Sequence, residues 1–220
     1  MFRLSLVGIT ALLLAGCPLQ KEYTVTVENL TDAQPMSPVT LVTHRKNFDL
    51  FEVGQPVSVA LEKLAESGDN SDVLTYKKQR SVEDAVSGKA PLGPGASETF
   101  TLQLGNQKTR FLSVASMLVN TNDALVAQSG IDLRKLKPGQ SMTITLPVWD
   151  AGTEANSESQ GSVPGPAAGG EGFNADRDDA NRIRIHPGVL SQDEGLSSSA
   201  LSYRHRFLNP GAKITIKRVW

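Results

Sequence analysis

Four short stretches of this chain alternate apolar and polar residues with a period of two. Their apolar members are Tyr23, Val25 and Val27; Phe100, Leu102 and Leu104; Met142, Ile144 and Leu146; and Ile214 and Ile216. Alternation of this kind sends successive side chains to opposite faces, which suits a strand with one face on a core and the other in water. Residues 39–43 and 111–119 are further strand candidates, the second holding Leu112, Val114 and Leu118. One helix stands out over Val59–Ser67: Ala60, Leu61, Leu64 and Ala65 share a face and Gly68 offers a C-cap. A second, shorter helix is expected over residues 81–86. Short strands punctuated by Gly, Pro and Asn predict an all-β fold, an antiparallel β-sandwich carrying one or two short helices.

The chain is 220 residues long and 39% hydrophobic, enough for one sizeable core without disulfides. Its formal charge of −1 argues against a nucleic-acid partner, which would need a basic stripe to meet phosphates. The single cysteine excludes an intrachain disulfide and a cysteine zinc knuckle.

That cysteine closes an N-terminal leader. Arg3 is followed by a mostly apolar run over residues 4–14 and then by Leu14, Ala15, Gly16 and Cys17. The run is shorter than the ~20 residues a membrane span needs, and has the proportions of a secretory signal. Its ending resembles the bacterial lipoprotein signal, which implies cleavage before Cys17 and lipidation of the thiol. Pro18 rather than Asp follows, which under that resemblance implies the outer membrane. The expected organisation is a signal peptide over residues 1–16, a lipidated tether over 17–22 and a β-sandwich over 23–219. Removing the leader takes away one of the 22 basic residues, Arg3, and none of the 23 acids, so the net charge moves from −1 to −2.

Residues 151–181 form a Gly/Ser-rich insert without periodicity, a length of chain that is either functional or disordered. Within it, Asn174, Asp176, Asp178 and Asp179 imitate the start of an EF-hand loop. Asp179 occupies the place of the turn glycine and Ile185 that of the bidentate acid, so the stretch reads as a solvated acidic loop. Nucleophile elbows, P-loops and dinucleotide fingerprints are all incomplete in this sequence, and no enzyme is expected. His44, His186 and His205 read as strand-end or surface histidines making ordinary hydrogen bonds.

The loop Asp150, Ala151, Gly152, Thr153, Glu154 is more informative, because it directly follows a strand that ends at Trp149. A turn at Gly152 can aim Asp150 and Glu154 at one point with a carbonyl between them. Calcium takes six to eight oxygens from such groups. On spacing alone, an ordinary Asx turn is the commoner reading of the motif.

This motif, together with the stretch from Ser116 to Ala124 and Gly130, Ile131 and Asp132, resembles the spondin N-terminal domain. Val42-Thr43-His44 and the ending from Asn209 to Arg218 agree with it. The resemblance implies an antiparallel β-sandwich of C2-like topology that holds one structural calcium ion. Carried over, the metal residues are Asp123, Asp150, Gly152 through its carbonyl, and Glu154. Glu154 replaces the Asp found in animal members, and the animal cysteines are absent. The expected function is an exported, lipid-anchored, calcium-binding adhesion or binding module of the cell envelope, attached to the membrane by its N-terminal lipid and facing an unidentified protein or glycan ligand. The alternatives are a metal-free structural envelope lipoprotein and an envelope hydrolase.

Overall fold

The computed structural model describes residues 20–105 and 108–220. The expected signal peptide and Cys17 lie outside the described residues.

Two antiparallel sheets face each other. The first has four strands: β1 (Lys21–Asn29), β4 (Ser97–Leu104), β7 (Ser141–Leu146) and β10 (Ala212–Arg218), in the order β4-β1-β10-β7. These are the four stretches whose alternation is visible in the sequence. Along β1, Tyr23, Val25 and Val27 are buried while the residues between them are half-buried, as expected of a sheet with one wet face.

The second sheet has six strands: β2 (Thr40–His44), β3 (Val82–Ser87), β5 (Phe111–Met117), β6 (Ala124–Asp132), β8 (Val148–Asp150) and β9 (Arg184–Ile185), in the order β3-β2-β5-β6-β8-β9. Its central strands are covered on both faces. Leu41, Leu112, Val114 and Val126 turn toward the first sheet and meet Val25, Val27, Leu146, Ile214 and Ile216. Val42, Ala115, Leu125 and Ala127 turn the other way, onto Leu61, Leu64 and Ala65 of helix α1 (Val59–Ser67). Burying each such aliphatic side chain contributes roughly 1.5–3 kcal/mol, so the helix is held by packing rather than by its nine-residue length. Ser58 caps its start, and Gly68 ends it at φ 72° with its N–H on the Leu64 carbonyl. A one-turn helix α2 (Ser71–Leu74) follows.

The helix expected over residues 81–86 is instead β3. Its buried residues, Val82 and Ala85, are three apart, which imitates a helical face. The true cause is a β-bulge. β2 pairs Thr43 with Asp84 and His44 with Val82, so Glu83 is passed over and the side-chain alternation slips by one.

The insert over residues 151–181 is tied to the body rather than self-contained. Val163 enters the inter-sheet core, Arg177 forms a two-pronged pair with Glu62 of α1, and the Asn174 N–H donates to Glu66.

Candidate metal centre

β6 begins one residue after Asp123 and β8 ends at Asp150. Ala124 pairs with Asp150, so antiparallel register alone brings the two carboxylates to the same end of adjacent strands. Both residues are fully buried. Beyond Asp150 the chain turns at Gly152, with φ at 72°. A Cβ there would stand 2.4 Å from the backbone oxygen of Arg182, so only glycine fits. The Gly152 carbonyl accepts the Asn181 N–H at 2.7 Å, fastening the far end of the insert to the turn.

The turn brings Thr153 and Glu154 back over Asp123. Their backbone N–H groups donate to Asp123 Oδ2 at 2.8 and 3.2 Å. Asp150 Oδ2 accepts from Asn156 at 2.7 Å and from the Arg184 guanidinium at 3.1 Å. Glu154 Oε1 accepts from the Asn122 amide at 3.1 Å. In each carboxylate the second oxygen, namely Asp123 Oδ1, Asp150 Oδ1 and Glu154 Oε2, is buried and makes no hydrogen bond within the protein. Buried acceptors normally find a partner, so three orphans around one loop ask for a cation.

β9 adds a residue not foreseen as part of the site. Arg184 pairs across from Asp150, and His186 follows one residue beyond the strand. Ligand atoms of Asp123, Asp150 and His186 all lie within 4.8 Å of one another. Glu154 is not one of these three, although its own N–H holds Asp123. His186 Nδ1 accepts the Gly188 N–H at 3.0 Å, which assigns the ring proton to Nε2. In that tautomer Nε2 is a donor, and the bare electron pairs at the site are carboxylate oxygens. Oxygen donors suit a hard cation such as calcium or magnesium better than zinc.

The electrostatics agree. Burial, and then the neighbouring charge of Asp150, push Asp123 up to about 7, against the pull of two backbone N–H groups. Burial pushes Glu154 up to about 8, with Glu66 and Asp123 adding repulsion. Asp150 is also raised by burial, although Asn156 and Arg184 oppose the shift. Burial and the Arg184 charge press His186 down to about 4, so it is neutral at ordinary pH.

The other histidines are structural. His44 is buried, with Nε2 2.8 Å from Ser113 Oγ and Nδ1 2.8 Å from the Arg45 carbonyl oxygen. Ser113 also accepts the Gly130 N–H at the β5–β6 bulge and is itself fully buried, so this Ser–His contact is sealed from any substrate. His205 Nδ1 accepts the Ser202 N–H. The EF-hand-like stretch is largely exposed, yet two of its acids point back at the site. Asp178 accepts the Ala155 N–H, and Asp179 pairs with Arg184 at 2.6 Å.

The Spondin_N family model matches residues 21–164. The chain belongs to the spondin N-terminal family. Asp123, Asp150, Gly152 and Glu154 all fall inside the matched span, whereas Arg184 and His186 lie beyond it. No curated protein matches the chain. Spondin domains are a non-enzymatic type, consistent with an extracellular binding or structural module. Among the described residues, no helix is long and apolar enough to cross a membrane.

Proposed function

We propose that this spondin domain is an exported, lipid-anchored calcium-binding module that serves in adhesion or ligand binding at the cell envelope. The observation that carries the metal reading is the set of three buried carboxylate oxygens, on Asp123, Asp150 and Glu154, that no protein group satisfies. Asp123 and Asp150 would hold the ion. Glu154 and the Gly152 carbonyl would complete the protein's share, with His186 beside them as a neutral neighbour. A bound calcium ion supplies positive charge and a fixed coordination shell. The chain supplies the rest: the Asp123 carboxylate clamps the Thr153–Glu154 backbone, and Gly152 ties that turn to Asn181.

The ion is structural in this reading. It joins the β6 and β8 ends to the long insert, and so fixes loops at that end of the sandwich on which a partner can be recognised. Calorimetric titration with calcium, repeated for Asp150→Asn, tests it. Saturable binding by the wild type and its loss in the variant are expected, and equal heats for the two proteins would reject the site.

One observation favours a metal-free scaffold. Arg184 already offsets part of the Asp150 charge at 3.1 Å. In that reading the same titration gives no binding heat in either protein.

A further inference from the structure

The end of the sandwich opposite the carboxylate site has the opposite character. Here β1 starts at Lys21, and its partner β10 runs out with Arg218 opposite Tyr23. The second sheet ends at the same level, where Arg110 precedes β5 and donates its N–H to the His44 carbonyl. Arg134 lies just past β6, paired with Asp132 at 2.7 Å and stacked over the Phe111 ring at 5.3 Å.

Between the two sheet ends lies a cleft of about 100 Å³ lined by Lys21, Tyr23, Thr109, Arg110, Leu133, Arg134 and Arg218. Four of the seven lining residues are cations, in a chain with 22 basic and 23 acidic residues overall, so the concentration is local. The Lys21 ammonium is held below its ordinary range by burial and then by the charges of Arg218 and Arg110. In the same cleft Thr109 is 2% exposed, and its hydroxyl makes no hydrogen bond within the protein. A buried donor without a partner, in a cleft lined by one lysine and three arginines, suits an anionic oxygen cluster such as a phosphate, with Arg134 already donating to Asp132 and Arg218 to the Leu136 and Trp220 carbonyls. The basic surface continues along the second sheet. The Arg45 N–H donates to the Ser81 carbonyl, which places the exposed Arg80 next to Arg45 on the same rim.

Position identifies the source of the phosphate. The chain enters the fold at Lys21, four residues after Cys17. Four residues reach at most about 14 Å when fully extended. A lipid on Cys17 would therefore keep this end within about 14 Å of the headgroups. The carboxylate site precedes β6 and the cleft lies beyond its far end, so the two are about 30 Å apart along a nine-residue strand.

We infer that the cationic end, centred on the cleft among Lys21, Thr109, Arg110, Arg134 and Arg218, docks on the phosphates of anionic lipid headgroups and holds the carboxylate end of the sandwich away from the bilayer. The direction of docking rests on the reading of Cys17 as the lipid anchor. The cleft and its charge do not.

The test uses residues 17–220 carrying Cys17→Ser, so that no acyl chain contributes; every described strand, from β1 at Lys21 to β10 ending at Arg218, lies within this span. Co-sedimentation is measured with vesicles of phosphatidylcholine alone and with 30% phosphatidylglycerol, alongside a calorimetric titration with inorganic phosphate. Binding to the anionic vesicles only is expected, weakening at least tenfold between 50 and 300 mM salt, as counterion-driven contacts do. Arg110→Glu combined with Arg134→Glu should lower it at least tenfold, and Arg110→Gln with Arg134→Gln should lower it less while preserving the fold. Equal binding to neutral vesicles, no binding to either, indifference to all four substitutions, or saturable uptake of phosphate without vesicle binding would each overturn the proposal. Mass analysis of Cys17 in membranes of a lipoprotein-processing host tests the anchor separately: an unmodified thiol there, with vesicle binding intact in the Ser variant, removes the anchor and leaves the docking surface.

Discussion

Asp123 divides its two oxygens between two tasks. Oδ2 accepts the backbone N–H groups of Thr153 and Glu154, while Oδ1 is buried without a protein partner. In the proposed site this relationship separates loop closure from ion binding within one side chain. Asp123→Asn keeps an oxygen for the backbone and loses the charge. It is predicted to fold with a near-native circular dichroism spectrum and to lose at least tenfold in calcium affinity. Native affinity in this variant would mean that the carboxylate does not ligate.

Gly152 tests the turn. Alanine there must adopt a φ of 72° and would place its Cβ 2.4 Å from the Arg182 oxygen. Left-handed strain alone costs about 1–2 kcal/mol, and the contact adds to it. We predict a lower melting temperature for Gly152→Ala, together with a weakened response to calcium. An unchanged melting curve would show that the turn relaxes freely.

Arg184 reaches two acids, Asp150 at 3.1 Å and Asp179 at 2.6 Å. Its side chain is 37% exposed, so solvent screens part of each pair. Arg184→Gln is expected to cost about 1–3 kcal/mol in chelator, because it leaves Asp150 buried and uncompensated. The variant should then gain more from calcium than the wild type does, since the ion takes over the compensation. A smaller gain, read from melting temperatures with and without calcium, would contradict this.

Glu158 gives a pH signature away from the proposed ligands. It is buried, accepts the Leu190 N–H at 3.3 Å, and is pushed by burial from 4.5 to about 7. Because the folded state holds the proton more tightly, stability falls as pH rises from about 4.5 to 7 and stays reduced above that. The upper limit of the penalty is roughly 3 kcal/mol. Glu158→Gln should therefore raise the melting temperature by several degrees at pH 8 and change it little at pH 4. Equal shifts at both pH values would assign the effect to packing rather than charge.

Cys17 carries the localisation reading. Replacing residues 1–17 by an ordinary cleavable signal peptide, so that export continues without a lipid, is predicted to move the protein from the membrane fraction to the aqueous one at high salt. Retention in the membrane fraction at low and high salt would show that a different segment holds it there.

The four strands of the first sheet were legible because one of their faces is wet and the side-chain alternation is therefore written into residues such as Val25 and Ile216. The second sheet was harder to read, because Leu41 and Val42, or Val114 and Ala115, are buried on opposite faces and leave no alternation. β3 imitates a helix in the sequence because a bulge sets its buried Val82 and Ala85 three residues apart. At the site, the turn from Asp150 to Glu154 was visible as a motif, whereas Arg184 and His186 arrive through a two-residue edge strand more than thirty positions downstream of Asp150. The alternation of Ile183 and Ile185 with Arg182, Arg184 and His186 was the one local hint of it.

The most direct test of the proposed calcium site is thermal unfolding of residues 17–220 with Cys17→Ser in calcium, in magnesium and in chelator. A ligand at a hundredfold excess over its Kd adds about 2.7 kcal/mol, or roughly 5–10 °C for a domain of this size. We predict a rise of that order in calcium over chelator, with magnesium giving much less. Coincident curves in all three would contradict the proposed metal site and leave Arg184, with the Asn156 amide, to offset the Asp150 charge.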